Sequence, residues 1–263
     1  MRVDAIATAV AAASFAASGL TPRPPALAPP PLSPEEFQRR DLVDAAVAAA
    51  WRSLDGHVTG DDDEAAVDAV AGEHASTYGE VTAAGARTVF DALGLLRGAP
   101  GDAVFADLGS GVGRLATQCY LETGVPSVGV ELSAVRHAKA QEGLARLTAG
   151  GAFEELGRDR AGLEFKQGDL VKALPELGAS HAYVASLLFG DEFLECVGAA
   201  LDASDVETFA ALSPVPADRF DRVGKASAAM TWNVDGGGTD VFLYKRRRWP
   251  RTSPAGWWNR WGR

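Results

Sequence analysis

Cysteine is scarce in this 263-residue chain. Only Cys119 and Cys196 occur, each inside an apolar stretch with helical spacing, so a disulfide framework is not expected to hold the fold. Histidine is limited to His57, His74, His137 and His181, scattered without the spacing of metal ligands, and no structural zinc is expected. Positive charge is short as well: 25 basic against 35 acidic residues give a net charge of −10, which argues against a folded body that binds nucleic acid generally. No apolar run is long enough to cross a membrane; "AIATAVAAASFAASG" is too short and too weakly apolar. The basic charge that is present gathers at one end. From Lys245 onward there are seven basic residues (Lys245, Arg246, Arg247, Arg248, Arg251, Arg260, Arg263) and no acid, so the remainder carries −17.

Composition then divides the chain. Residues 1–33 join the alanine-rich run to "LTPRPPALAPPPLSP", which is too proline-rich for helix or sheet. Two readings stand for it: the apolar stretch of a secretory or organelle presequence with small residues for cleavage near Ala17 and Ser18, or a disordered alanine-rich terminus. Residues 34–75 read as a small helical appendage. Ser33 is an N-cap, Pro34 suits the first helical position and Glu36 completes a capping box, with the helix running to about Trp51. An acidic turn follows, in which Asp61 and Glu64 are candidates to cap a second helix. Residues 76–246 form the main domain, and 247–263 a basic, tryptophan-rich tail.

After Gly79 helices and strands alternate. A helix is predicted from about Thr82 to Leu96, then strands at "AVFADLG", "PSVGVEL", "LEFKQGDL", "SHAYVASLLF" and "VETFAALSP", with helices between several of them. "KASAAMTWN" and "TDVFLYKR" flank "VDGGG" as a closing hairpin. Alternating units predict an α/β fold: a doubly wound, Rossmann-like, seven-strand sheet with an antiparallel hairpin at one side.

The chemistry concentrates at "FADLGSGVGRLA". A ligand in such a sheet lies beyond the carboxyl ends of the strands, and Gly109, Ser110, Gly111 and Gly113 fill the turn after the first strand. A dinucleotide wants G-x-G-x-x-G, because its pyrophosphate rests on the helix N-terminus, but Arg114 stands at the third glycine position. S-adenosylmethionine carries no phosphate. It requires close backbone approach and an acid facing its cation, which Asp107 supplies. Glu131, ending the second strand, can accept ribose hydroxyls, and Asp169, with Leu170 beside it after the third, lies where adenine would. A lone acid after a strand is usually a turn or helix cap; three at successive strand ends beside a glycine turn point to a cofactor site.

"DLGSGVG", preceded by "TYGEVT" and followed by "GVEL", resembles the Dot-one (disruptor of telomeric silencing) family of histone-lysine methyltransferases. "YVASLLFGDEF" is similar to that family's V-N-N-F-x-F segment, and "MTWN" to its S-W-T segment; the likeness spans Ser76 to Arg246. The resemblance implies S-adenosylmethionine as cofactor, with Tyr78 and Thr82 joining the cofactor-binding set. It implies a catalytic set of Tyr78, Glu80, Ser186, Trp232 and Phe242, and a protein substrate, the histone in a nucleosome. The chain departs from the family in carrying Ala185 and Ser186 where paired asparagines are expected, and Phe242 where a tyrosine is expected. Leu187, Leu188, Phe189, Trp232 and Phe242 are candidates for an apolar acceptor channel or for ordinary core. The tail, with "KRRR", Trp249, Trp257, Trp258 and Trp261, reads as a nucleic-acid contact, a nuclear import signal, an anionic-membrane contact or solvated chain. A nuclear location is the expectation from the resemblance, an organelle or secretory route the alternative from residues 1–18.

Overall fold

Seven strands make one sheet in the computed structural model, which describes residues 33–233 and 236–247. Strands β1 (Phe105–Leu108), β2 (Ser127–Glu131), β3 (Leu163–Gln167), β4 (His181–Val184) and β5 (Thr208–Ala211) run parallel. Strands β6 (Phe220–Ala228) and β7 (Thr239–Arg246) are antiparallel, and the spatial order is β3-β2-β1-β4-β5-β7-β6. The fold is the doubly wound Rossmann-like sheet that the alternation of elements implies. The chain moves outward from β1 to β3, then returns to β4 on the other side of β1. The carboxyl ends of β1 and β4 therefore flank the point where strand order reverses, which is where ligands sit in this class of sheet.

The helices are α1 (Pro34–Ala50), α2 (Asp61–Ala71), α3 (Ala83–Ala92), α4 (Arg114–Thr123), α5 (Ala134–Ala149), α6 (Ala152–Glu155), α7 (Leu170–Ala173) and α8 (Asp191–Ala203). One face of the sheet (Leu108, Val130, Val184, Phe209) packs on α7 and α8, through Leu170, Val197 and Leu201. The other face (Phe105, Tyr183, Ala210, Val241) packs on α3 and α4, through Val89, Phe90 and Cys119. Strands β1, β2 and β4 are buried along their whole length, as parallel strands covered on both faces must be.

The chain divides into the units Met1–Phe37 and Gln38–Arg263. Within the first, the capping box forms: the Ser33 N–H donates to Glu36 Oε2 (2.8 Å) and the Glu36 N–H to Ser33 Oγ (3.2 Å). In the second, the helices expected as an appendage share the main core. Val43, Ala50, Trp51 and Leu54 cluster with Val112, Leu144 and Phe165, because α1 has apolar residues that only the sheet domain can cover. Asp61 and Glu64 do not cap α2. Gly60 holds the cap position without a side-chain bond, and both acids lie in the first turn, where the helix dipole favours them.

At the closing hairpin, β6 starts earlier than expected, at Phe220, and ends at Ala228. "MTWN" lies beyond it, and Met230 forms an isolated antiparallel bridge with Val81. The expected fourth strand through Phe189 stops at Val184, after which the backbone turns, with the Ser186 N–H donating to Val184 O (2.8 Å). Of "KRRR", Lys245 and Arg246 belong to β7. Arg248, Trp249, Trp257, Trp258, Trp261 and the presequence candidate lie outside the described residues.

Candidate active site

The glycine turn is built by backbone bonds. Gly109 and Ser110 both donate their N–H groups to Val130 O (2.9 and 3.0 Å), which ties the end of β1 to β2. Gly111 has φ +56°, and a Cβ there would stand 2.7 Å from Tyr78 Cε2, so a side chain is excluded by backbone and by neighbour alike. Gly113, expected on the cofactor, stands off the cavity wall. It begins α4 at φ +87°, packed against the ring of Phe165, and its role is close helix–strand contact.

A cavity of about 340 Å³ opens at the carboxyl ends of β1–β4. Gly109, Ser110 and Gly111 line it, together with Asp107, Glu131, Asp169 and Leu170, so the acids at three successive strand ends converge on one space. Asp107 is buried, and its Oδ2 has no hydrogen-bond partner among the described residues; Ser110 Oγ is unpartnered in the same way. Burial, and then the carboxylate of Glu131, push the Asp107 carboxyl up to about 7. Glu131 Oε2 accepts from the Gly111 N–H (2.7 Å) and Oε1 from the Ser133 N–H (2.9 Å). Burial raises this carboxyl, and the Ser133 N–H, Arg136 and the Gly111 N–H oppose the shift. Asp169 combines two roles. Its Oδ1 caps α7 through the Val171 N–H (2.9 Å) while the residue lines the cavity.

The "TYGE" segment crosses above this floor. Tyr78 lies over Gly111, with its hydroxyl donating to Glu80 Oε1 (2.5 Å), and Glu80 Oε2 accepts from Arg114 (2.5 Å). Burial, then the Glu80 carboxylate, raise the Tyr78 phenol, so it remains a neutral donor. The guanidinium of Arg136 lies 4.9 Å from the centre of the Tyr78 ring and hydrogen bonds Gly56 O (3.0 Å) and Ser76 O. The Glu80 N–H donates to Thr231 Oγ1 (3.0 Å) and the Thr231 N–H to Glu80 O (2.9 Å). Two segments some 150 residues apart in sequence thus meet at the cavity, and Trp232 lines it against Gly79. Thr82 does not reach the cofactor space. It caps α3, accepting from the Gly85 N–H (3.1 Å) and donating to Ala229 O (3.0 Å).

On the acceptor side Ala185, Leu187, Leu188, Phe189, Phe193, Leu212 and Trp232 line the cavity. Ser186 is fully buried on the other side of the chain, its Oγ accepting from the Ser213 N–H (2.9 Å), and takes no part in the wall. Phe242 sits on β7 opposite Ala211, packed into the α8 face with Arg222 over its ring (5.6 Å). It lies off the cavity. Several cavity residues carried no sequence signal: Tyr183, Leu115 and Arg136, and from α2 Val67 and Ala71, whose i, i+4 spacing was the only hint.

The floor is acidic and the Gly111 N–H is already taken by Glu131, which suits a cationic ligand and not a pyrophosphate. The profile of the family described as histone methylation protein DOT1 matches residues 71–182. The protein is an S-adenosylmethionine-dependent methyltransferase resembling the Dot type. No curated protein matches it in sequence. Among solved structures, it is similar to an RNA methyltransferase from Salinibacter ruber in complex with S-adenosyl-L-homocysteine (19% identity, 63% of this chain and 93% of that one, TM-score 0.43). It is also similar to a SAM-dependent methyltransferase from Thiobacillus denitrificans in complex with S-adenosyl-L-homocysteine (22% identity, 50% and 48%, TM-score 0.36) and to TrmN from Thermus thermophilus (17%, 60% and 48%, TM-score 0.43). The chain spans about half the length of the latter two. The residues of the Dot-like site fit S-adenosylmethionine: unpartnered Asp107 Oδ2 for its cationic end, Glu131 for its ribose, the Asp169–Leu170 segment for its adenine.

Proposed function

We propose that the protein methylates the side-chain amine of a lysine in a protein substrate, the nucleosomal histone being the first candidate. The match of residues 71–182 to the DOT1 family carries this reading. Bound S-adenosylmethionine supplies an electrophilic methyl group: its C–S bond is exchanged for a C–N bond, the electron pair stays on sulfur, and the surplus proton leaves the nitrogen to water. The chain's own residues position the partners, which supplies most of the catalysis of an in-line displacement. Asp107 and Glu131 hold the donor, Tyr78 and Glu80 close over it, and Leu187, Leu188, Phe189 and Trp232 sheathe the aliphatic stem of the incoming residue. A lysine has an ordinary pKa of about 10.4 and must arrive neutral; an apolar sheath beside a sulfonium disfavours the ammonium.

A chromatin role and a nuclear location follow as parts of this proposal, with nucleic-acid contact through the basic tail. The replacement of the expected amides by Ala185 and by a Ser186 that faces away favours a second reading: methyl transfer to a non-histone protein or a small molecule, in an organelle if residues 1–18 are a presequence. Labelled S-adenosylmethionine incubated with the protein and with nucleosomes, free histones or cell extract decides between them. Label on histone H3 supports the first reading, label confined to other extract components supports the second, and none anywhere refutes both.

A further inference from the structure

The acceptor side of the cavity lacks the amide expected there, yet beside Asp107 and Ser110 the cavity wall holds a further polar group without a partner among the described residues. Tyr183 is 2% exposed, lines the cavity, and its hydroxyl has no hydrogen-bond partner among the described residues. A phenylalanine would fill the same space without burying an unsatisfied hydroxyl, so the hydroxyl is a structural cost at this position. A buried polar group without a partner calls for an explanation, and a part in binding or catalysis is one.

Its placement follows from register. Tyr183 on β4 is the Cα partner of Asp107 on β1, so both side chains leave the sheet on the same face. Ala185 follows two residues later, at the position of the expected amide, and it too lines the cavity. Ser186, one residue further, turns away to Ser213. The position of the expected amide and the unused hydroxyl of Tyr183 thus both line the cavity at the carboxyl end of β4. Burial and the nearby Asp107 both raise the phenol, so its proton stays on and its oxygen is an available acceptor.

Resting on the lysine-methyltransferase reading, we infer that Tyr183 orients the acceptor amine in place of the absent amide. Its hydroxyl oxygen accepts one N–H of the neutral amine, and the nitrogen lone pair is thereby turned toward the methyl group. The side chains of Leu187, Leu188, Phe189 and Leu212 on that wall carry no group that accepts a hydrogen bond.

Calorimetry with three ligands tests this without knowing the substrate. The ligands are S-adenosyl-L-homocysteine, its nitrogen-for-sulfur analogue bearing a 3-aminopropyl arm, and the same analogue bearing a butyl arm of equal length. The wild type should prefer the aminopropyl over the butyl ligand about tenfold, which is ~1.4 kcal/mol. Tyr183→Phe should abolish that preference, leave affinity for S-adenosyl-L-homocysteine unchanged, and melt no lower than wild type. Equal binding of the two arms by the wild type overturns the inference even if the variant cannot be obtained, and so does a preference that survives in Tyr183→Phe. If the wild type binds none of the three ligands, the methyltransferase reading itself fails, a result distinct from a lost amine preference.

Discussion

At Gly111 and Glu131 a single contact does two jobs, since the carboxylate that should hold the ribose also ties down the turn through the Gly111 and Ser133 N–H groups. Glu131→Gln keeps the shape and one acceptor oxygen, and should weaken S-adenosylmethionine by about 1–3 kcal/mol, as for a lost hydrogen bond to a charged group. Gly111→Arg should abolish binding outright, because its φ of +56° and the Tyr78 ring leave no room for a Cβ. Calorimetry showing wild-type affinity in both would remove the site. Asp107 gives a pH signature. Its folded pKa of about 7 lies above its unfolded value of about 3.9. Its contribution to stability is therefore full below about pH 4, declines as pH rises, and is lost through about pH 7. Asp107→Asn should flatten that decline in thermal unfolding. Conversely, a cationic donor prefers the ionised carboxylate, so affinity for S-adenosylmethionine should rise from pH 6 to 8 in wild type but not in Asp107→Asn. A pH-independent wild-type affinity would exclude Asp107 as the group facing the cation.

Among the elements, the five parallel strands were legible because buried strands read as short apolar runs closed by glycine or acid. The end of β4 was not. "SLLF" continues the apolar run, but there the chain turns outward to wall the cavity, and periodicity cannot separate a lining from a core strand. The same limit explains Ser186 and Phe242: side chains alternate along a strand, so an error of one residue exchanges cavity for core. Asp107, Glu131 and Asp169 were legible because acids at strand ends are chemically conspicuous, whereas Tyr183 and Arg136 look like any core tyrosine and helix arginine. The turn that follows helix α1 shows what tertiary packing adds. Trp51 is 1% exposed and donates its indole N–H to Val112 O (2.5 Å), inside the glycine turn. Trp51→Ala should cost about 3–5 kcal/mol of stability, as for other buried aromatics, and should weaken donor binding by loosening that turn. Denaturant melts together with calorimetry check both effects, and a stability loss with unchanged affinity would uncouple Trp51 from the site.

For the whole molecule, the charge asymmetry between an acidic body and a basic end is what supports the proposed contact of the tail with a polyanion. Deleting the residues after Arg248 should weaken nucleosome binding, and wild-type binding should fall steeply with added salt, since each phosphate contact releases counterions. Salt-independent binding, or a truncated protein that binds as well as the full chain, would end that proposal. Donor affinity should survive the deletion, because Arg246 still anchors the end of β7 by donating to Leu201 O (2.9 Å), Ser204 O (2.8 Å) and Val206 O (2.6 Å). That anchor also bears on traffic within the cell. A transport receptor reads a basic run as an extended, unpaired peptide, but Lys245 is paired in the sheet, Arg246 is clasped by four backbone carbonyls and Arg247 holds Asp221 at 2.8 Å. To be read as an address, Lys245 and Arg246 would have to be drawn out from between β5 and β6. Import through this run, if the nuclear proposal holds, would therefore demand that the last strand unfold.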